Sequence, residues 1–218
     1  MKSKITSILI PGMKNTSIAT KRLSTLIFYK NEFDLIFDYK SCGKVSDFVR
    51  LFKDYLCWGT DAEKRLVYLL DKKKPKIIYA HSHGGLLLYN ALQKIQQETL
   101  DQIKVIKTFG SAKLIPKVIR DKNINIINFY NEKDYVLGLQ KRYYPDIPNN
   151  HDFNYRNCCI KIIKNSNITD YDVHINRYTR KKPPKVHFNC TSHKTESHKI
   201  PCYKQFIKKN IRKDCALK

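Results

Sequence analysis

At 218 residues with 42% of them hydrophobic, the chain is long enough for one domain with a substantial buried core. No stretch approaches the roughly 20 apolar residues of a membrane-spanning helix, and the seven cysteines lack the spacing of a disulfide framework. The net charge of +23 invites an anionic partner, yet apart from local runs such as Lys72-Lys73-Lys74 it is spread along the chain. That distribution favours a solvated basic surface, with peripheral contact to an anionic membrane as the functional alternative, over a nucleic-acid footprint.

The first apolar run, Ile5 to Ile10, is short for the core of a signal peptide and is followed by Pro11-Gly12, so it is expected to be a strand. Together with the unpaired cysteine pattern, this predicts a cytoplasmic protein with reduced thiols. Thr16 to Tyr29 has helical spacing through Ile18, Leu23, Leu26 and Ile27, with Asn15 as N-cap. Phe33 to Tyr39 reads as a second strand. The amphipathic region from Val45 to Leu70 predicts two helices broken near Trp58-Gly59, and Lys76 to Ala80 a third strand after Pro75. A helix from Gly84 carries Leu87, Leu88, Ala91, Leu92 and Ile95 on one face. Ile103 to Phe109 and Ile124 to Tyr130 are the fourth and fifth strands. Strands alternating with helices indicate a mainly parallel sheet with right-handed crossovers, an α/β fold.

Beyond residue 140 the composition turns polar, with strand-like pieces at Cys159 to Ile163 and Tyr171 to Ile175 and a last helix at Tyr203 to Ile211. These pieces are expected to add antiparallel strands to the sheet. The whole chain, 1–218, is read as one domain with its core in 4–140 and additions in 141–218.

The chemistry concentrates in Ala80-His81-Ser82-His83-Gly84, between the third strand and the following helix. Small residues two before and two after a serine let a strand turn abruptly into a helix. The serine is then held in strained geometry above the sheet's C-terminal edge, the arrangement of a G-x-S-x-G nucleophile elbow. A serine that only caps the helix is the plainer reading of the same residues. A serine hydroxyl needs a base, and the base an orienting acid, in the chain order serine, acid, histidine. Asp134, just past the fifth strand, fits the acid, with Glu132 as its nearest substitute. His198, before the last helix, is the favoured base and His193 its competitor; His187, His174 and His151 are weaker candidates. His81 and His83 stand too close to the serine to serve as its base. Backbone N–H groups of His83 and of the loop after the first strand, at Met13, are the expected oxyanion donors, and Gly12 allows that loop a close approach.

Three blocks resemble the class 3 lipases of the α/β-hydrolase superfamily. HSHGGLLL is similar to their H-S-L-G-G-A elbow, KTFGSAKL (Lys107 to Leu114) to their T-F-G-x-P-R block, and INFYNEKDYV to their N-x-x-D-x-V segment. The likeness covers roughly residues 4 to 140, and SHKIPCY would carry the family's terminal histidine. Ala80 stands for the usual first glycine, His83 for an apolar residue, and Pro11-Gly12 for the frequent His-Gly. The resemblance implies an α/β-hydrolase fold and a lipase or esterase that cleaves acyl esters through an acyl-serine, without a cofactor, using Ser82, Asp134 and His198.

Two rival readings use other features. Cys190, His193, His198 and Cys202 form a C-x₂-H-x₄-H-x₃-C array that suits tetrahedral zinc, and with the positive charge it would describe a zinc-stabilised nucleic-acid-binding module. That spacing matches no common finger or knuckle, and a metal-bound His198 could not also act as a base. The other rival is a hydrolase-fold scaffold without activity.

Overall fold

The computed structural model describes residues 7–12, 33–37, 44–131 and 173–176, together with residues 136, 207, 211 and 214. The strands are β1 (Ser7–Ile10), β2 (Leu35–Ile36), β3 (Ile77–His81), β4 (Val105–Phe109), β5 (Val118–Ile119), β6 (Lys122–Asn123), β7 (Asn125–Asn131) and β8 (Val173–Asn176). The helices are α1 (Lys44–Tyr55), α2 (Asp61–Lys73), α3 (His83–Leu92) and α4 (Gln97–Gln102). Six strands form one sheet in the order β2-β1-β3-β4-β7-β8. Every neighbouring pair in it runs parallel. This is an α/β architecture.

Both faces of the sheet are covered, which is why β3 is apolar throughout instead of alternating. All five of its residues are buried. On one face Ile8, Ile78 and Ile106 meet Leu66 and Leu70 of α2 and Leu87, Leu88 and Ala91 of α3. On the other, Leu9, Tyr79, Phe109 and Phe129 meet Ile207 and Ile211. Residues 207, 211 and 214 are helical and buried.

The break between the expected pair of helices has a local cause at each side. Cys57 turns left-handed at φ 58°, and the N–H groups of Cys57 and Trp58 donate to the carbonyls of Asp54 (3.1 Å) and Lys53 (3.0 Å). This pair of bonds is a Schellman cap. Thr60 then caps α2, its side chain accepting from the Glu63 N–H at 3.3 Å. Left-handed Lys74 ends α2.

The expected antiparallel additions after residue 140 are not what the described part of that region shows. β8 pairs parallel with β7, from Asn128 opposite Val173 to Asn131 opposite Asn176. The stretch between Asn131 and Val173 far exceeds the dozen or so residues that a parallel crossover needs. The antiparallel pairing among the described residues falls earlier, in the ribbon of β5 and β6. Its two-residue turn, Arg120-Asp121, has both φ values positive, at 46° and 62°, as a type I′ hairpin demands. The helix expected at 16–29 and the strand expected at 159–163 lie outside the described residues. No helix among the described residues is long and apolar enough to cross a membrane.

β1 sits between β2 and β3, so the chain winds outward from it first one way and then the other. In open parallel sheets the crevice at such a reversal, beyond the strands' C-terminal ends, is where ligands bind. Here it lies where β1 ends at Pro11-Gly12 and β3 ends at Ser82.

Candidate active site

Ser82 joins β3 to α3 with φ 55° and ψ −126°. These are the angles of the first central residue of a type II′ turn, a position that glycine dominates. A serine there costs about 1–3 kcal/mol and persists only where its surroundings hold it. The surroundings do hold it. Its N–H donates to the Phe109 carbonyl (3.0 Å), and its own carbonyl accepts from the N–H groups of Gly85 (3.0 Å) and Ala112 (3.1 Å). A residue that only caps a helix would be extended and would accept at its side chain, whereas Ser82 makes no side-chain capping bond to α3.

The paired glycines after His83 are explained by close approach. A Cβ on Gly84 would meet the carbonyl oxygens of Ile10 at 2.5 Å and Pro11 at 2.6 Å. One on Gly85 would run into the Ser111 side chain, with its Cβ at 2.7 Å. The start of α3 is thus wedged between the end of β1 and the loop after β4, which turns the chain sharply enough to leave Ser82 half-buried at the sheet edge. Gly12 reaches the serine from the other side: a Cβ there would lie 2.7 Å from Ser82 Cβ and 3.2 Å from His81 Nδ1. The loop after β1 therefore adjoins Ser82 at Gly12.

His83, which stands for an apolar residue of the motif, faces α1. It is buried, with Nε2 2.8 Å from Oδ2 of the fully buried Asp54 on α1. The contact is close but off the line of an ideal hydrogen bond. Asp54 also accepts from the Thr60 hydroxyl through Oδ1, and its carbonyl accepts from Asn90 Nδ2 at 2.7 Å. Asn90 in turn reaches Glu63 Oε2 at 3.3 Å, and Glu63 holds Lys94. These groups form one polar network where α1, α2 and α3 meet, immediately behind the serine. Asp54 carries no motif in the sequence; the signal that could have marked it is a carboxylate on the face of α1 opposite its apolar stripe.

A second buried network lies on the other face of the sheet. Asp214 accepts from the Tyr79 hydroxyl and sits 2.8 Å from Lys107 Nζ. This network ties Asp214 to β3 and β4, the strands before and after α3. A lysine in the middle of the apolar strand VIKTF was the available sign.

Of the other expected site residues, Met13, Asp134, His193 and His198 lie outside the described residues, as do Glu132, His151, His187 and the zinc candidates Cys190 and Cys202. His174 falls within β8. β7, whose C-terminal end shares the sheet edge with Ser82, leads directly into the segment that carries Asp134. Among the described residues no group of three or more His, Cys, Asp or Glu is placed to hold a metal ion. No protein-family model matches the chain, and no curated protein matches it either.

Proposed function

We propose that the chain is a serine hydrolase that cleaves carboxylic esters, with acyl lipids as its substrate class. The observation that carries this reading is the backbone of Ser82, held at φ 55° and ψ −126° at the sheet's reversal point. A chain has no structural reason to keep a serine where glycine would be unstrained, and every reason if the hydroxyl must project above the sheet. The resemblance of the elbow and of the two following blocks to class 3 lipases supports the same assignment, with an α/β-hydrolase fold as its frame.

In this mechanism Ser82 Oγ attacks the acyl carbonyl while His198 takes its proton, and Asp134 orients the imidazole. His193 is the alternative base. The alcohol leaves with that proton, and water, activated by the same histidine, releases the acid from the acyl-serine. Backbone N–H groups of His83 and Met13 stabilise the oxyanion, and the N-terminal end of α3 adds its positive dipole. One oxyanion donor is worth about 10²–10³ in rate.

A fluorophosphonate probe tests the proposal. Stoichiometric labelling of the purified chain, abolished in Ser82→Ala, is the expected result. A folded protein that takes no label, or a Ser82→Ala variant that labels as well, would overturn it.

A further inference from the structure

α1 is mounted inside out. Its inward side carries the fully buried carboxylate of Asp54, while Val49, Phe52 and Leu56, three and four residues apart, stand 46%, 56% and 42% exposed. Trp58 follows at 65% exposed. An amphipathic surface helix ordinarily turns its apolar stripe to the core. Here the polar network behind Ser82 occupies the inner side and the stripe faces outward. The Schellman cap at Cys57 fixes the backbone of Trp58 at the end of that stripe.

We infer that this face of α1, with Trp58 as its anchor, docks the protein onto an anionic lipid bilayer. Two observations favour that occupant. Lys53 is exposed on the same helix, and the chain as a whole carries +23, so approach to an anionic surface is attractive where approach to a second copy is repulsive. A helix with an apolar stripe and basic flank, ending in tryptophan, has the composition of an interfacial helix, and indole prefers the headgroup boundary, where one side is apolar and the other wet. The opposite side of the same helix touches His83, the residue after Ser82, so the docking face lies one helix width, roughly 10 Å, from the elbow. A bilayer is a source of acyl esters, which fits the hydrolase reading, but the docking face stands without it.

The chain has one tryptophan, so Trp58 reports on its own surroundings. The test uses full-length Ser82→Ala protein and vesicles of phosphatidylcholine with or without phosphatidylserine. With phosphatidylserine present, Trp58 emission is expected to shift to the blue and to be quenched by brominated acyl chains. Binding should weaken as salt rises from low to physiological levels. Phe52→Gln with Leu56→Gln, both at exposed positions, should weaken binding about tenfold or more. Vesicle binding that leaves Trp58 unshifted and unquenched would overturn the proposal, as would no binding at all. So would a blue-shifted Trp58 in a lipid-free dimer, which would assign the face to a second copy. The quenching measurement needs no substitution in α1, so a poorly folded double variant would not decide the matter. Loss of docking would leave fluorophosphonate labelling intact, and the two proposals fail separately.

Discussion

Replacing Ser82 by glycine should make the protein more stable and chemically dead, and the size of the gain can be worked from the backbone. Ser82 sits at φ 55° and ψ −126°, where a residue with a Cβ carries about 1–3 kcal/mol of strain. Three main-chain hydrogen bonds, to Phe109, Gly85 and Ala112, hold it there, so relaxation is blocked while the sheet and α3 stay in place. Glycine removes the strain but adds freedom to the unfolded chain, which offsets about 0.4–1 kcal/mol. Alanine keeps the Cβ and the strain while removing the hydroxyl, so it is the proper reference. Ser82→Gly should therefore be about 1–2 kcal/mol more stable than Ser82→Ala, a rise in melting temperature of about 2–8 °C for a chain of this size. Urea unfolding followed by circular dichroism gives the difference, and neither variant should take a fluorophosphonate label. Equal stability of the two variants would refute the argument that strain at Ser82 is stored for function.

Gly84→Ala tests the wedge from the other side of the elbow. Helix propensity alone would favour alanine by about 1 kcal/mol, but its Cβ would meet two backbone oxygens at 2.5 and 2.6 Å, so a net loss of about 1–3 kcal/mol is expected by urea melt; stability at or above that of the parent would contradict the packing. Asp54→Ala leaves His83 and Thr60 without their shared buried partner and should cost about 3–5 kcal/mol, read as a drop in melting temperature; a near-neutral result would remove Asp54 from the support of the elbow. Lys107→Met strands the Asp214 carboxylate in the core and should cost a similar 3–5 kcal/mol, most of it recovered when Asp214→Leu is added. A double variant as unstable as the single one would show that the charge pair is not what matters there.

The parts of this fold that the sequence makes plain are those where a single physical signal dominates. Five apolar runs separated by helical spacing gave the parallel sheet, because strands buried on both faces are apolar throughout. Trp58-Gly59 marked the gap between α1 and α2, because the helical pattern lapses there. Ser82 was visible because a strand, a small-residue turn and a helix meet in one short stretch. Polar contacts between distant segments were not visible. Asp54 and His83 are 2.8 Å apart but belong to different helices, and nothing local in either segment names the other. Lys107 looked like an ordinary strand residue because its partner, Asp214, arrives from the far end of the chain. The direction of β8 was missed for a related reason: a polar strand carries no sign of which neighbour it will pair with, and only the length of the connection before it argued for a parallel crossover.

The inverted mounting of α1 and the geometry of the elbow have one origin. α3 must carry Gly84 and Gly85 in its first turn so that it can press against β1 and the loop after β4, and this leaves its first residue, His83, pointing toward α1. An imidazole buried there needs a polar partner, and Asp54 supplies it from the middle of the last turns of α1. Once Asp54 is inward, the 3.6-residue period puts Val49, Phe52 and Leu56 on the outer side, whatever their hydrophobicity would prefer. Replacing His83 and Asp54 by apolar residues of similar volume would satisfy the core equally well and would free α1 to turn its stripe inward. The chain instead keeps a polar junction next to the strained Ser82 and an apolar face on the outside. A helix buried by its carboxylate and exposed by its phenylalanine is what results when one element must support the strained turn at Ser82 on its inner side.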